Sequence, residues 1–324
     1  MRMTVVAEYY DEPAEGINVV SKTLIDGMRA RGHEVAVIPP AVALSRLPRL
    51  LLKPAPVTIF THGPGPRTVL VSRILRSLSR TRILWVATRP DLGACPRWLC
   101  GGRSAHAILC NRPRADLAGV ASDARMLTQP IGIAPERLVD GGQAPVWAAR
   151  RRDGVPLAVH VGHLRRSRGL DRLCEIKALL GDRIDIVVVA SPYFESDPCL
   201  MAELLAAGVH IDRGFVPAIA DVYRAADLYL FTPPPETEGA IELPLGVLEA
   251  LACGLPVIST PFGALPEVLA GTVGVEFAPS EDFAQAVVHW VDRGAANPRP
   301  AGLPNHLNAH RITERVLELA SGTE

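Results

Sequence analysis

The chain of 324 residues has no excess of either charge, because 34 Lys and Arg residues are balanced by 34 Asp and Glu residues. A chain-wide positive field of the kind that holds nucleic acid is therefore absent. The chain also has no uncharged apolar run of 18 residues, and its N-terminus turns acidic too soon for the core of a signal peptide. We expect a cytoplasmic protein, for which peripheral contact with a membrane stays open.

Several motifs that define enzyme classes are missing. The six cysteines form no C-x2-C pair, so reduced structural thiols are expected rather than a zinc or redox centre. The absence of G-x-x-x-x-G-K-[ST] and of G-x-S-x-G disfavours a P-loop hydrolase and a serine hydrolase. No two aspartates are separated by one residue, which disfavours an Asp-x-Asp metal site for a sugar nucleotide.

What is present is an alternation of short apolar runs with helical segments. It predicts parallel sheets covered by helices, an α/β fold with two doubly wound domains. Ligands in such sheets bind at the carboxyl ends of the strands, and we expect the two sets of ends to face a central cleft. The segment Asp140–Pro156, rich in Gly, Pro and charge, is the predicted linker. The predicted strands are Met3–Ala7, Glu34–Ile38, Val57–Phe60, Ile83–Val86, Ala107–Cys110, Ala124–Leu127, Leu157–Val161, Ile184–Ala190, Val209–Ile211, Leu228–Phe231 and Pro256–Ser259.

The most informative stretch lies between Pro233 and Leu269. A proline-rich loop leads into a helix predicted over Leu245–Cys253, whose first backbone N–H groups are free to hold a phosphate or sugar oxygen. Glu249 lies one turn into this helix, where its carboxylate can accept hydrogen bonds from a pair of vicinal hydroxyls such as those of a ribose. A solvated helix glutamate is the alternative.

This stretch resembles the retaining GT-B glycosyltransferases of glycosyltransferase family four. Residues 249–260, EALACGLPVIST, and residues 263–267, GALPE, are similar to the family's E-A-M-A-C-G-x-P-V-I-x-T and G-G-x-P-E. Residues 161–170, VGHLRRSRGL, are similar to its phosphate loop, and shorter matches occur at 214–217 and 225–227. The resemblance covers about residues 156–290. In the first half it is looser, at the opening strand, Gly16 and residues 31–35.

The resemblance implies a sugar donor of the UDP or GDP type and transfer to an acceptor hydroxyl with retention of configuration. It implies no cofactor and no obligatory metal. The acceptor, a small molecule, a glycan or a lipid-linked sugar, would bind residues 1–148, and the donor residues 149–304. Residues 305–324 would form a helix that packs back towards the first domain.

The same resemblance assigns roles to residues. Arg168 and His163 stand where the family has lysine and arginine, and are expected to stabilise the diphosphate. The family's first glutamate would fall at Ile241, so Glu242 or Glu238 is expected to replace it. Glu249 is expected to bind the ribose and Val216 the base. The expected donor-binding residues are Gly16, Val216, Glu238, Glu242, Leu245, Gly246 and Glu249.

Two residues of the first half are further candidates. His62 follows the predicted strand Val57–Phe60 and is expected at the cleft as a catalytic residue, with a plain Gly-Pro turn as the alternative. Arg89 stands where the family often has a cleft histidine, and is expected to contact the acceptor. Two other functions stay open: a catalytically silent relative that binds a nucleotide sugar or assists a partner transferase, and a sugar-nucleotide epimerase or hydrolase.

The neutral total conceals a strong asymmetry. Residues 1–150 contain 20 Lys and Arg against 11 Asp and Glu, and residues 151–324 contain 14 against 23. Much of the positive excess lies around Arg46, Arg49 and Lys53 and in the segment 73–82. Such a surface could meet an anionic membrane or acceptor. A solvated basic face, or attraction between the two domains, is the alternative.

Overall fold

The computed structural model describes residues 1–7, 16–61, 65–87, 105–108, 126–192, 195–235, 237 and 241–321. The chain divides into two compact units. The first comprises Met1–Gly132, Ile241–Leu243 and His306–Glu324, and the second comprises Ile133–Ala240 and Pro244–Asn305.

The first unit contains a six-stranded sheet in which every pairing is parallel, in the order β2-β1-β3-β4-β5-β6. Parallel neighbours require crossover connections, and the described helices of this unit lie in three of them. The strands are β1 (Arg2–Val6), β2 (Glu34–Ile38), β3 (Val57–Phe60), β4 (Arg82–Ala87), β5 (Ala105–Ile108) and β6 (Met126–Thr128). The described helices are α1 (Gly16–Ala30), α2 (Pro40–Ala43), α3 (Leu47–Leu52), α4 (Pro66–Leu78) and, at the C-terminal end, α12 (Ala309–Ser321).

One face of this sheet is covered by α2, α3 and α4. Phe60 and Trp85 stack with ring centroids 4.4 Å apart and belong to the same buried cluster as Ala43, Leu50 and Leu75 of the three helices. Since successive side chains of a strand alternate between faces, neighbours of Phe60 and Trp85 in the strands point to the opposite side. Helix α12 packs against α1 and contacts β4, β5 and β6.

The second unit contains another six-stranded parallel sheet, in the order β12-β11-β10-β7-β8-β9. The strands are β7 (Leu157–Gly162), β8 (Asp185–Ala190), β9 (His210–Arg213), β10 (Leu228–Phe231), β11 (Val257–Ser259) and β12 (Val275–Phe277). The helices are α5 (Ala144–Ala148), α6 (Asp171–Leu180), α7 (Pro198–Ala206), α8 (Ile219–Ala225), α9 (Leu245–Ala252), α10 (Leu265–Val268) and α11 (Phe283–Arg293). Short 3-10 helices lie at Pro135–Leu138, Arg166–Arg168, Gly181–Arg183, Gly294–Ala296 and Asn305–Leu307.

Strand β10 shows how this sheet separates its two faces. Leu228 and Leu230 point into the core formed with α6, α7 and α11. Tyr229, between them, points the other way and meets Tyr223 of α8 edge-on, with ring centroids 5.6 Å apart. The buried tyrosine pair therefore lies on the side of the sheet opposite to the aliphatic core.

Hydrogen bonds and an ion pair bind the segment that precedes β7 to the rest of the second unit. Asp221 of α8 is fully buried, and its carboxylate accepts hydrogen bonds from the backbone N–H groups of Gly141 and Gln143, at 3.1 and 2.8 Å. Further along, Arg152 binds Asp185 of β8 at 2.7 Å. Because of these contacts, residues 133–148, which the sequence analysis assigned to the first domain, group with the second unit.

The predicted class, two doubly wound α/β domains with parallel sheets, is confirmed. Strands β2, β3 and β10 have the predicted ends, and most other strands differ from prediction by one or two residues. Strand β12 was not predicted, and the predicted linker contains α5. No helix among the described residues is long and apolar enough to cross a bilayer.

Candidate functional site

The loop after β7 contains the two residues predicted to stabilise the diphosphate, His163 and Arg168. Residues Arg166–Arg168 form a 3-10 turn that ends at Gly169 with a left-handed backbone, φ +68°. The Thr232 hydroxyl, just after β10, donates to the Arg168 carbonyl oxygen at 2.8 Å, and the Thr237 hydroxyl donates to Ser167 at 3.2 Å. The backbone that carries Arg168 is thus held against the carboxyl end of β10.

Gly169 is required at this position for two reasons. Its positive φ is unfavourable for residues with a side chain. A Cβ atom would lie 2.4 Å from the Thr232 carbonyl oxygen, well inside van der Waals contact. The Arg172 side chain lies beside the same position, and its Nε donates to the Ser280 carbonyl oxygen at 3.1 Å. The glycine therefore permits the close approach of the loop to β10.

A buried histidine that the sequence analysis did not select lies beneath this loop. His160 of β7 is 2% exposed, and its Nδ1 is 2.9 Å from the Leu230 carbonyl oxygen, which assigns the proton to Nδ1. Burial lowers the pKa of His160 to about 4, and the nearby Arg168 and His163 act in the same direction. Its imidazole is therefore neutral at pH 7, and the Arg168 and His163 side chains both lie near it.

The start of helix α9 forms the second part of the site. Pro244 precedes the helix and has no side-chain acceptor, so the N–H groups of the first turn, including those of Leu245 and Gly246, donate no hydrogen bond to a capping side chain. The helix dipole adds partial positive charge at the same end. An oxygen of an anionic ligand is the natural partner for such a helix start.

Tyr229 links the helix start to the end of β7. Its hydroxyl donates to the carbonyl oxygen of Val161, at the end of β7, at 3.4 Å. A Cβ atom on Gly246 would lie 2.6 Å from the same hydroxyl and 3.4 Å from that of Tyr223. Gly246 therefore allows α9 to begin directly against the tyrosine pair, and it places the helix start next to the end of β7.

Glu249 is buried, and both of its carboxylate oxygens have partners within the second unit. Oε1 accepts from Arg137, whose Nε and Nη2 both lie at 2.8 Å, and Oε2 accepts from the Tyr223 hydroxyl at 3.1 Å. Burial and the Glu249 charge raise the pKa of Tyr223, which keeps its hydroxyl protonated and able to donate. A carboxylate has about four acceptor positions, so three donors leave about one for a sugar hydroxyl.

The remaining predicted residues lie elsewhere or outside the described residues. Glu242 is buried within Ile241–Leu243, which groups with the first unit, as does Gly16 at the start of α1. Val216 is half-buried after β9 in the second unit. His62, Arg89 and Glu238 lie outside the described residues.

Sequence reasoning missed three residues of this site besides His160. Arg137 and Tyr223 bind Glu249 from positions 112 and 26 residues away, and no local pattern marks them. Thr232 follows β10 directly, so a hydroxyl at a strand's carboxyl end was the available signal. The described residues contain no group of three or more His, Cys, Asp or Glu side chains able to hold a metal ion.

Comparison with known proteins gives a consistent result for the second unit. Residues 155–293 match the family model of the glycosyl transferases group 1. TuaC of Bacillus subtilis, named for teichuronic acid biosynthesis, is 36% identical over 142 residues, which are 42% of this chain and 33% of TuaC. The D-inositol 3-phosphate glycosyltransferase of Geodermatophilus obscurus is 31% identical over 189 residues, which are 52% of this chain and 40% of that protein. The chain thus matches well under half the length of these relatives.

The whole chain is also similar to solved structures. Alr3699/HepE of Anabaena, crystallised with UDP, superimposes with a TM-score of 0.70 at 11% identity, over 100% of this chain and 98% of that chain. At this identity the likeness concerns the fold alone, and it identifies the fold as GT-B.

Proposed function

We propose, from the premise that residues 155–293 form a glycosyl transferases group 1 domain, that the protein is a glycosyltransferase. It transfers a sugar from a nucleotide-diphosphate donor, of the UDP or GDP type, to an acceptor hydroxyl. One observation carries the proposal: the loop of Arg168 and the start of α9 both adjoin the end of β7, where the Tyr229 hydroxyl contacts Val161 and Gly246.

The reaction needs positive charge where the diphosphate departs. Arg168 supplies a permanent guanidinium charge, and the N–H groups of Leu245 and Gly246 supply fixed donors at a helix start. Donors that are already in place when negative charge develops are the largest contribution in many enzymes. The hydrogen bond from the Thr232 hydroxyl to the Arg168 carbonyl oxygen keeps the loop in place before the donor binds.

Glu249 holds the nucleoside in this proposal. Arg137 and Tyr223 fix the carboxylate, and its remaining acceptor position receives a ribose hydroxyl. Since a charged acceptor strengthens a hydrogen bond, one such contact contributes about 1.5–3 kcal/mol.

Retention and metal independence are the finer parts of the proposal. The acceptor hydroxyl attacks the anomeric carbon on the face that the diphosphate leaves, and a diphosphate oxygen takes the hydroxyl proton. The cationic loop and the helix start take the charge-stabilising role that a metal ion would otherwise fill.

Donor turnover tests the function. Purified protein is incubated with UDP- and GDP-sugars and a panel of acceptors, in buffer with EDTA, while release of UDP or GDP is measured. We expect turnover with one donor class, loss of at least about tenfold in Arg168→Gln, and near-normal activity in Arg165→Gln, an exposed neighbour in the same loop. The anomeric configuration of the product, read by NMR, tests retention.

A catalytically silent relative is the second candidate, and one departure from the family's motif favours it. Ile241 stands where the first glutamate is expected. Saturable binding of UDP or GDP in the absence of turnover with every donor and acceptor would support this candidate and contradict the transferase.

A further inference from the structure

A long segment of the first unit contains no acidic residue. Residues 35–90 hold no Asp or Glu and nine Lys and Arg. At the average acidic content of the chain, about six acidic residues would be expected in a segment of this length. This segment spans α2, α3 and α4, and it carries much of the positive excess of the first 150 residues.

The same three helices expose an unusual amount of apolar surface. Five of the twelve large apolar side chains that are exposed among the described residues lie between positions 42 and 78. Leu52 at the end of α3 and Leu78 at the end of α4 are 82% and 71% exposed. Single exposed leucines are common on protein surfaces, but a group of them on neighbouring helices marks an interaction surface.

The leucines and the basic residues point to the same side. Helices α2, α3 and α4 bury their inner residues in one cluster on one face of the sheet, so their outer sides all face away from that sheet. On α4, Leu70, Arg73 and Leu78 are exposed and lie at i, i+3 and i+8, the spacing of one helix face. On α3, Arg49 is exposed beside Leu52.

We propose that this outer surface, the basic face formed by Arg49, Leu52, Leu70, Arg73, Leu78 and Arg80, docks on an anionic lipid bilayer. Its chemistry fits a bilayer better than a soluble polyanion, because phosphate headgroups attract the guanidinium groups while the acyl boundary takes up the leucines. A basic face that contacts only solvent would account for the exposed arginines but not for the exposed leucines. The absence of acidic residues over the whole segment removes local repulsion from the headgroups.

Co-sedimentation of the full-length protein with lipid vesicles tests the proposal. Vesicles of phosphatidylcholine alone are compared with vesicles that contain about one third phosphatidylglycerol, without any sugar donor. We expect binding to the anionic vesicles alone, with a partition coefficient that falls as salt rises. Because no donor is present, the result does not depend on whether the protein is a transferase.

Two pairs of variants separate charge from apolar insertion. Arg49→Gln/Arg80→Gln and Leu52→Ser/Leu78→Ser are each expected to lower the partition coefficient about tenfold or more. The matched controls are Arg213→Gln/Arg311→Gln, at exposed arginines, and Leu179→Ser/Leu205→Ser, at exposed leucines of α6 and α7. The controls are expected to bind as the parent protein does, and an unchanged Tm shows that each variant is folded.

Two results would overturn the proposal. Equal sedimentation with neutral and anionic vesicles, or its absence with both, would contradict an anionic bilayer as the partner. Binding that inorganic polyphosphate abolishes and that Leu52→Ser/Leu78→Ser leaves unchanged would identify a site for soluble polyanions instead.

Discussion

Arg137 places two nitrogens of its guanidinium group, Nε and Nη2, 2.8 Å from the same carboxylate oxygen of Glu249. The pair joins the 3-10 helix at Pro135–Leu138 to α9, across 112 residues of sequence. The Glu249 side chain is almost inaccessible to solvent, while that of Arg137 is about one quarter exposed. The glutamate proposed to hold a ribose is therefore fixed before any ligand arrives, by a residue that reaches the solvent.

The first prediction concerns the two functions of this carboxylate. Glu249→Gln is expected to weaken binding of the cognate nucleotide about tenfold or more, because a charge-assisted hydrogen bond to the ribose becomes neutral. Arg137→Gln is expected to lower the free energy of unfolding by about 1–3 kcal/mol, because the buried carboxylate loses two charged donors and the neutral glutamine amide replaces at most one of them. Calorimetric titration and urea unfolding measure the two effects.

A double-mutant cycle provides the control. Since Arg137 and Glu249 are in contact, the destabilisations of the two single variants are expected not to add in the double variant. Unchanged nucleotide affinity in a folded Glu249→Gln protein would contradict ribose binding at this residue.

The second prediction concerns the contact between Gly246 and Tyr229. Gly246→Ala places a methyl group 2.6 Å from the Tyr229 hydroxyl oxygen, and we expect it to destabilise the protein by about 1–3 kcal/mol despite the better helix propensity of alanine. Tyr229→Phe removes that oxygen and leaves the ring carbon at an ordinary 3.4 Å. The double variant is therefore expected to recover much of the stability that Gly246→Ala loses. Thermal unfolding of the three variants measures this, and the clash is not the cause if the double variant is as unstable as the sum of the single ones.

The elements that the sequence predicted most accurately are those whose local signals agree. Strands β3 and β10 are four-residue, mostly apolar runs between helices, buried throughout, and their ends follow from the turn residues around them. Strand β12, Val275–Phe277, has three half-buried residues and no pattern long enough to distinguish it from a loop. Helix α5 lies in a segment of Gly, Pro and Arg that favours a linker, and it forms because Asp221 fixes the backbone just before it.

The sequence predicts those residues of the candidate site that lie in local motifs. It does not predict those whose roles depend on contacts between distant parts of the chain. Arg168, Gly246 and Glu249 could be selected because each lies in a motif next to a strand end or a helix start. Arg137 and His160 could not, since the roles of both come from burial and from partners distant in sequence. Burial in particular lowers the pKa of His160, so that this histidine is neutral near pH 7 and does not titrate there.

The third prediction concerns the loop that carries Arg168. Gly169→Ala combines an unfavourable positive φ with a methyl group 2.4 Å from the Thr232 carbonyl oxygen. Gly154→Ala is the matched control, because Gly154 has a similar φ of +73° but no atom within 4 Å of the added methyl group. We expect the control to cost about 1–2 kcal/mol from the backbone alone, and Gly169→Ala to cost about 1–3 kcal/mol more.

The same substitution is expected to affect ligand binding. Moving the loop away from Thr232 displaces Arg168, so nucleotide diphosphate affinity falls in Gly169→Ala and stays at the parent value in Gly154→Ala. Affinities measured by titration, at a temperature where both variants are folded, compare the two. Equal affinities would show that the position of this loop does not matter for the diphosphate.

The last prediction follows from the pH dependence of Asp221. Burial by itself raises the pKa of this carboxyl, but hydrogen bonds from the N–H groups of Gln143 and Gly141, a hydrogen bond with Asp140 and the charge of Arg224 together lower it more, so the net shift is downward. A carboxyl with a lower pKa in the folded state than in the unfolded state adds stability above its unfolded pKa, near 4, and loses it as pH falls through the lower folded value. We therefore expect the contribution of Asp221 to be constant from pH 7 to about pH 5 and to decline below about pH 4.

Asp221→Asn removes this dependence. An amide in place of the carboxylate turns one acceptor oxygen into an NH₂ donor that faces a backbone N–H group, so the variant is expected to be less stable than the parent at pH 7. Between pH 5 and pH 3 the variant should lose less stability than the parent protein, because the titrating group is gone. Asp153→Asn, at an exposed aspartate of the neighbouring segment, is the control for a change of charge alone. Urea unfolding across this pH range compares the three proteins, and parallel curves for the parent and Asp221→Asn would exclude Asp221 as a source of acid sensitivity.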